Sequence, residues 1–153
     1  MIRRRQGGTW IDPGTFKRRQ GGAWVVCQNV YRRQGGGWVL IWHYNVSGTV
    51  SPAQATGSLV ATGPSGQVQT YAVTATGSGG SGAYTYAWSI ATVSSGNPPT
   101  ILNPNGASTG FSRNVTQGIG IVTGTAQVRI TDANGSSSVV VDVPYSLSYS
   151  TRQ

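Results

Sequence analysis

The chain has 153 residues, 23 of them Gly, with 11 Lys and Arg against three Asp and no Glu, for a formal net charge of +8. Strand and turn formers dominate and no window repeats apolar residues at helical spacing, so a helical fold is excluded. A lone Cys27 excludes an intrachain disulfide, and the shortage of carboxylates leaves little material for acid–base catalysis.

The basic residues are not spread evenly. Arg3, Arg4, Arg5, Lys17, Arg18, Arg19, Arg32 and Arg33 precede residue 34, opposed only by Asp12. The rest of the chain balances Arg113, Arg129 and Arg152 against Asp132 and Asp142. The N-terminal stretch therefore calls for an acidic partner, such as a protein surface, a nucleic acid or an anionic envelope. Cys27 reads as a small buried strand residue rather than a reactive thiol. No apolar run approaches about eighteen residues, and no apolar segment follows the first arginines, so neither a membrane-spanning helix nor a secretory signal is expected.

In chain order, the first feature is a repeat. Arg4-Arg5-Gln6-Gly7-Gly8-Thr9-Trp10 recurs as Arg18-Arg19-Gln20-Gly21-Gly22-Ala23-Trp24 and as Arg32-Arg33-Gln34-Gly35-Gly36-Gly37-Trp38, a period of fourteen residues. A period this short repeats one supersecondary unit. Gly-Gly between extended runs predicts a tight hairpin turn with positive φ at both positions. Asp12-Pro13-Gly14 is a further turn signal, and Gln28-Asn29 is expected to turn at the equivalent point of the next repeat. The stretch Trp38 to Tyr44 is apolar on both faces, a pattern of strands covered on both sides. In so small a module that cover is expected from another chain, so residues 1–46 read as a meander of hairpins stabilised by oligomerisation or docking.

Residues 47–54 read as a Ser/Gly/Pro join, and Leu59-Val60-Ala61 as the first strand of a second unit. From 67 to 150 short alternating strands separated by turns predict a β-sandwich. Residues 67–75 read as one strand, with Val68 and Thr70 on one face and Tyr71 and Val73 on the other. Residues 83–90 follow a Gly/Ser loop and place Tyr84, Tyr86, Trp88 and Ile90 on one face. Phe111–Val115, Ile119–Val122, Ala126–Thr131 and Ser138–Val143 are further strands, the last two joined at an Asn-Gly turn.

The segments Gly79-Gly80-Ser81-Gly82-Ala83-Tyr84-Thr85-Tyr86-Ala87-Trp88 and Val128-Arg129-Ile130-Thr131-Asp132-Ala133-Asn134-Gly135 resemble immunoglobulin-like domains of the PKD-like kind found in bacterial and phage surface proteins. The resemblance implies a Gly-rich loop leading into a central Trp-bearing strand, and a penultimate strand ending in an Asp-x-x-Gly turn. With no disulfide to pack on, Trp88 is expected to rest on aliphatic residues alone. The Gly-Gly-x-Trp repeats look like those of small structural proteins of tailed bacteriophages, except that the doubled Arg makes this version unusually basic. Together the two resemblances imply a virion protein, a repeat anchor carrying an immunoglobulin-like head.

Four functions compete at this stage. As a virion structural or adhesive protein, the chain would use Arg4, Arg5, Arg18, Arg19, Arg32 and Arg33 for charge-assisted bonds to a neighbour's carboxylates, and Trp10, Trp24, Trp38 and Trp42 to fill pockets between chains. The bland alternative makes the tryptophans the module's own core. Nucleic-acid binding would use the same basic and aromatic residues to track phosphates and stack bases, although the apolar strand after each copy argues for folded hairpins over a disordered basic tail. Carbohydrate binding would stack sugar rings on Tyr84 or Tyr86, or on Tyr145 or Tyr149; tyrosines in alternating strands are more often half-buried sandwich residues. An enzyme would have to work with Asp12, Asp132, Asp142 and His43, where Asp132 belongs to a turn and His43 lies between Trp42 and Tyr44.

The sequence therefore reads as a non-enzymatic, all-β phage structural protein without metal or cofactor. A hairpin anchor spans 1–46, a join 47–54 and an Ig-like β-sandwich 55–150. The expected partners are other virion proteins at the tail or neck, further copies of the chain in a trimer, and a host-surface carbohydrate. Nucleic acid and membrane insertion are not expected, and the expected location is the virion, assembled in the host cytoplasm. A capsid decoration protein or head fibre is the alternative, and an Arg-based nucleic-acid binder the second.

Overall fold

A computed structural model describes residues 4–6, 9–11, 16–27, 29–43, 45–80, 83–117, 119–133 and 138–152; for 4–6, 9–11, 16, 24–26, 29 and 40–43 it describes the backbone only. All regular structure among these residues is β. The first six strands are β1 (Arg4–Gln6), β2 (Thr9–Ile11), β3 (Phe16–Gln20), β4 (Ala23–Cys27), β5 (Asn29–Gln34) and β6 (Gly37–His43). They pair antiparallel as β1-β2, β3-β4 and β5-β6, three separate two-stranded sheets. Gly21 and Gly22 have φ of 58° and 86°, and Gly35 and Gly36 have 58° and 84°. Positive φ at both central positions matches the right-handed twist of flanking strands, and only glycine adopts it without strain. Gly7-Gly8 and the Asp12-Pro13-Gly14 signal lie outside the described residues. Asn29, expected in a turn, instead opens β5 opposite His43; Gln28 lies outside the described residues.

Ten strands follow: β7 (Ser47–Ser51), β8 (Ala55–Ala61), β9 (Ser65–Gln69), β10 (Val73–Ser78), β11 (Tyr84–Val93), β12 (Thr100–Ile101), β13 (Ser108–Thr109), β14 (Phe111–Thr116), β15 (Ile121–Asp132) and β16 (Ser138–Thr151). One layer has the order β11-β15-β16-β8. The other is built from β13-β10-β7 and β12-β14-β9. Its halves meet where two long runs break. The run 65–78 breaks at 70–72 and the run 108–116 breaks at Gly110, and the Thr70 N–H donates to the Phe111 carbonyl at 2.9 Å across the gap. Strand β8 runs parallel to β16, Ala55 facing Tyr145 through to Ala61 facing Thr151. Two facing sheets of this strand order make an immunoglobulin-like sandwich, so the chain is all-β, short hairpins followed by an Ig-like β-sandwich.

Three expectations are corrected. The 47–54 join holds β7, which pairs with β10 from Ser51–Thr74 to Ser47–Ser78, while Val46 before it is buried in the core. Ser47, Thr49 and Ser51 are the exposed outer residues of an edge strand, while Gly48 faces inward, where a Cβ would come within 2.5 Å of Ile130. The single strand 67–75 is two, and Tyr71 sits in the break at 79% exposure while Val73 is fully buried. Ile119 precedes β15 rather than opening it, and the candidates near 122 and 126–131 form one strand with Gly124 in its middle. That glycine suggests an interruption in sequence, but in space it admits the Tyr145 ring and the Thr92 carbonyl.

Trp88, 5% exposed, stands at the centre of the core. It packs edge-on against Phe111, with centroids 6.2 Å apart and planes at 72°, and Phe111 packs in turn on Tyr145 at 5.6 Å. The expectation of purely aliphatic packing fails because Phe111, from the opposite layer, brings an aromatic ring against the indole. The indole N–H of Trp88 donates to the Gly106 carbonyl at 2.8 Å, so its polar end is satisfied inside.

Candidate interaction surface

The period of fourteen residues becomes a repeated register. Arg5 faces Trp10, Arg19 faces Trp24 and Arg33 faces Trp38; one step outward Arg4 faces Ile11, Arg18 faces Val25 and Arg32 faces Val39. The residues flanking a two-residue turn form a hydrogen-bonded pair, and pairs alternate from there, so the Arg–Trp pairs are non-hydrogen-bonded ones, where side chains lie closest. Since side chains alternate, Arg18-Arg19 and Arg32-Arg33 each send one residue to either face of their hairpin.

The β5–β6 hairpin carries this to side-chain detail. Tyr31, Arg33 and Trp38 share one face, and Arg32, Gln34 and Val39 share the other. The Arg32 guanidinium donates to Gln34 Oε1 at 2.9 Å. Trp38 is 72% exposed and Tyr31 51%, and the two line a shallow, open apolar hollow. Val39 on the opposite face is exposed as well. The apolar strand is thus exposed at both positions, and Trp38 is not core. Lys17, Arg18, Arg19, Arg32 and Arg33 are all exposed. The side chains of Arg4, Arg5, Trp10, Trp24, Trp42 and His43 are outside the described set. Cys27 is half-buried in β4, opposite Phe16.

Tyr31 was not singled out in the sequence. The signal was present: Tyr31 stands two residues before Arg33, on its face, in the repeat position that Lys17 holds one period earlier.

The tyrosines considered for sugar stacking are engaged elsewhere. Tyr84 and Tyr86 are half-buried against the sandwich core. The Tyr84 ring covers Gly77, whose Cβ would approach to 2.7 Å, and its hydroxyl donates to the Gly79 carbonyl at 2.6 Å. Tyr145 and Tyr149 are buried, beyond the half-burial expected of tyrosines in alternating strands. Their hydroxyls donate to the Thr92 carbonyl at 2.8 Å and to the Gly63 carbonyl. Burial pushes the Tyr145 phenol above its ordinary pKa, with the Arg113 guanidinium pulling it back in part.

Of the acidic residues, Asp132 is buried beside Gly80, and Asp142 is exposed and accepts from Gln127 Nε2 at 2.9 Å. Among the described residues no three His, Cys, Asp or Glu side chains gather as metal ligands would.

No protein-family model and no curated protein matches the chain. Among solved structures it is similar to the solution structure of the PKD domain of human KIAA0319, at 16% identity and a TM-score of 0.35, over 70% of this chain and 93% of that one.

Proposed function

We propose that this chain is a non-enzymatic structural protein of a bacteriophage virion, attached to the tail or neck through residues 1–46 and displaying the sandwich, with weak adhesion to the host surface as an accessory role of that domain. The observation that carries the reading is the thrice-repeated Arg–Trp register, with arginines and, in the third copy, Trp38 left on open faces. Trp and Arg are the residues most enriched at interface hot spots, and isolated two-stranded hairpins are marginal in water without a further surface to pack on. Three copies in one chain suit attachment to a repeating assembly, where avidity replaces strength at any single site. Copies of the chain would associate through the same module, a trimer being the expected count, and other virion proteins would supply the acidic surface.

The test is the mass of the purified full chain by light scattering, in low and high salt, with and without nuclease. A discrete oligomer that is free of nucleic acid and persists in salt supports assembly. A monomer that copurifies with nucleic acid and sheds it in salt overturns the anchor and makes the arginines phosphate ligands. Cryo-electron microscopy of the virion then separates tail or neck attachment from a capsid decoration or head fibre.

A further inference from the structure

We propose that each hairpin is completed by an acidic β-strand of a partner protein, added along the open edge of the arginine-bearing strand, β1, β3 or β5. The inference deepens the anchor reading and rests on it.

Three observations lead to it. Among the described residues each hairpin is a sheet of two strands, with no further strand paired to the outer edge of its first one. In the non-hydrogen-bonded pairs, the N–H and C=O of Arg5, Arg19 and Arg33 point away from the Trp strand, toward that edge. Finally, in β5 the doubled arginine puts one guanidinium on each face, with Arg33 beside Trp38 and Arg32 beside Gln34.

A nucleic-acid strand tracks one basic groove and stacks on one aromatic face. It would leave half of these arginines unused and could not pair with a strand edge. A polypeptide strand lying in the plane of the hairpin does both. Its backbone completes the ladder, and two consecutive acidic residues, pointing to opposite faces, meet one arginine of each doublet. A second copy of the chain is disfavoured at this edge, because residues 1–46 hold eight cations against Asp12 alone. The partner is therefore a protein with an exposed strand bearing adjacent acidic residues, presented in a repeat.

The test titrates the full chain with a short capped Thr/Val peptide carrying a central Glu-Glu pair. Two controls accompany it: the same peptide N-methylated at alternate residues to remove its ladder donors, and oligo-dT of equal charge. The peptide should bind, slow amide exchange at Arg19 and Arg33, and outbind the N-methylated form by about tenfold or more. The triple variants Arg4→Gln/Arg18→Gln/Arg32→Gln and Arg5→Gln/Arg19→Gln/Arg33→Gln should weaken it by similar factors, because the strand uses both faces. Failure of the peptide to bind, equal binding by its N-methylated form, or dependence on only one arginine set overturns the edge-strand proposal and leaves the anchor standing. Tighter binding of oligo-dT, lost in salt, overturns both.

Discussion

At the scale of single residues, the sandwich depends on buried side chains whose polar ends find a backbone carbonyl. Trp88, Tyr145 and Tyr149 each do so, and so does the half-buried Tyr84. Burial also shifts the titration of Tyr145. Its folded pKa lies above the ordinary value of 10.0, so the folded state keeps the phenol proton where the unfolded chain has lost it. The stabilisation is fully present below about pH 10 and is lost as pH rises through the folded pKa. Denaturant midpoints measured against pH should therefore fall above about pH 10, and Tyr145→Phe should flatten that fall while costing about 1 kcal/mol at neutral pH through its lost hydrogen bond. Phe111, fully buried between Trp88 and Tyr145, should be among the costliest positions: Phe111→Ala should lose about 3–5 kcal/mol in the same assay.

At the scale of elements, glycine does different work in the two parts of the chain. In the hairpins it serves backbone conformation. Gly22 and Gly36 have open space around them but φ near +85°, so Gly36→Val should cost about 1–2 kcal/mol of hairpin population. Gly37→Ala, with ordinary φ and nothing closer than 3.9 Å, should change it by no more than about 0.5 kcal/mol. Cross-strand contacts between Arg33 and Trp38 in an NMR spectrum would distinguish the two. In the sandwich Gly79, Gly80, Gly96 and Gly120 also have positive φ, but Gly77 serves close approach: Gly77→Ala would drive a methyl group into the Tyr84 ring, and calorimetry should show a loss of about 1–3 kcal/mol. Much at this scale was legible in the sequence. The two-residue Gly-Gly turns and the inward face of β11 follow from local conformation and period-two alternation, which need no tertiary knowledge. The break at 70–72 was not legible, since Tyr71 keeps the alternation that the backbone abandons there.

At the scale of the whole molecule, charge and core separate. Residues 1–46 hold most of the charge, and the buried cluster runs from Val46 through Tyr149. Two-stranded sheets with exposed residues open more readily than a two-layer core. Hydrogen exchange on the free chain should therefore show fast amides over 16–43 and slow ones over β11, β15 and β16. A bound partner should slow the first group and leave the second unchanged.

The all-β class, the fourteen-residue hairpin unit, the concentration of charge before residue 34 and the inward face of the Trp88 strand follow from the residues alone. These are local or additive properties, set by side-chain alternation, glycine conformation and charge counting. That 47–51 is a strand, that Phe111 meets Trp88, that Tyr145 and Tyr149 are buried, and that Trp38 is exposed emerge from the folded chain. Each of those depends on which distant segment comes to lie against the residue, and a composition of Ser, Thr, Gly and Tyr is compatible with a linker, an edge strand or a core wall until its neighbour is in place.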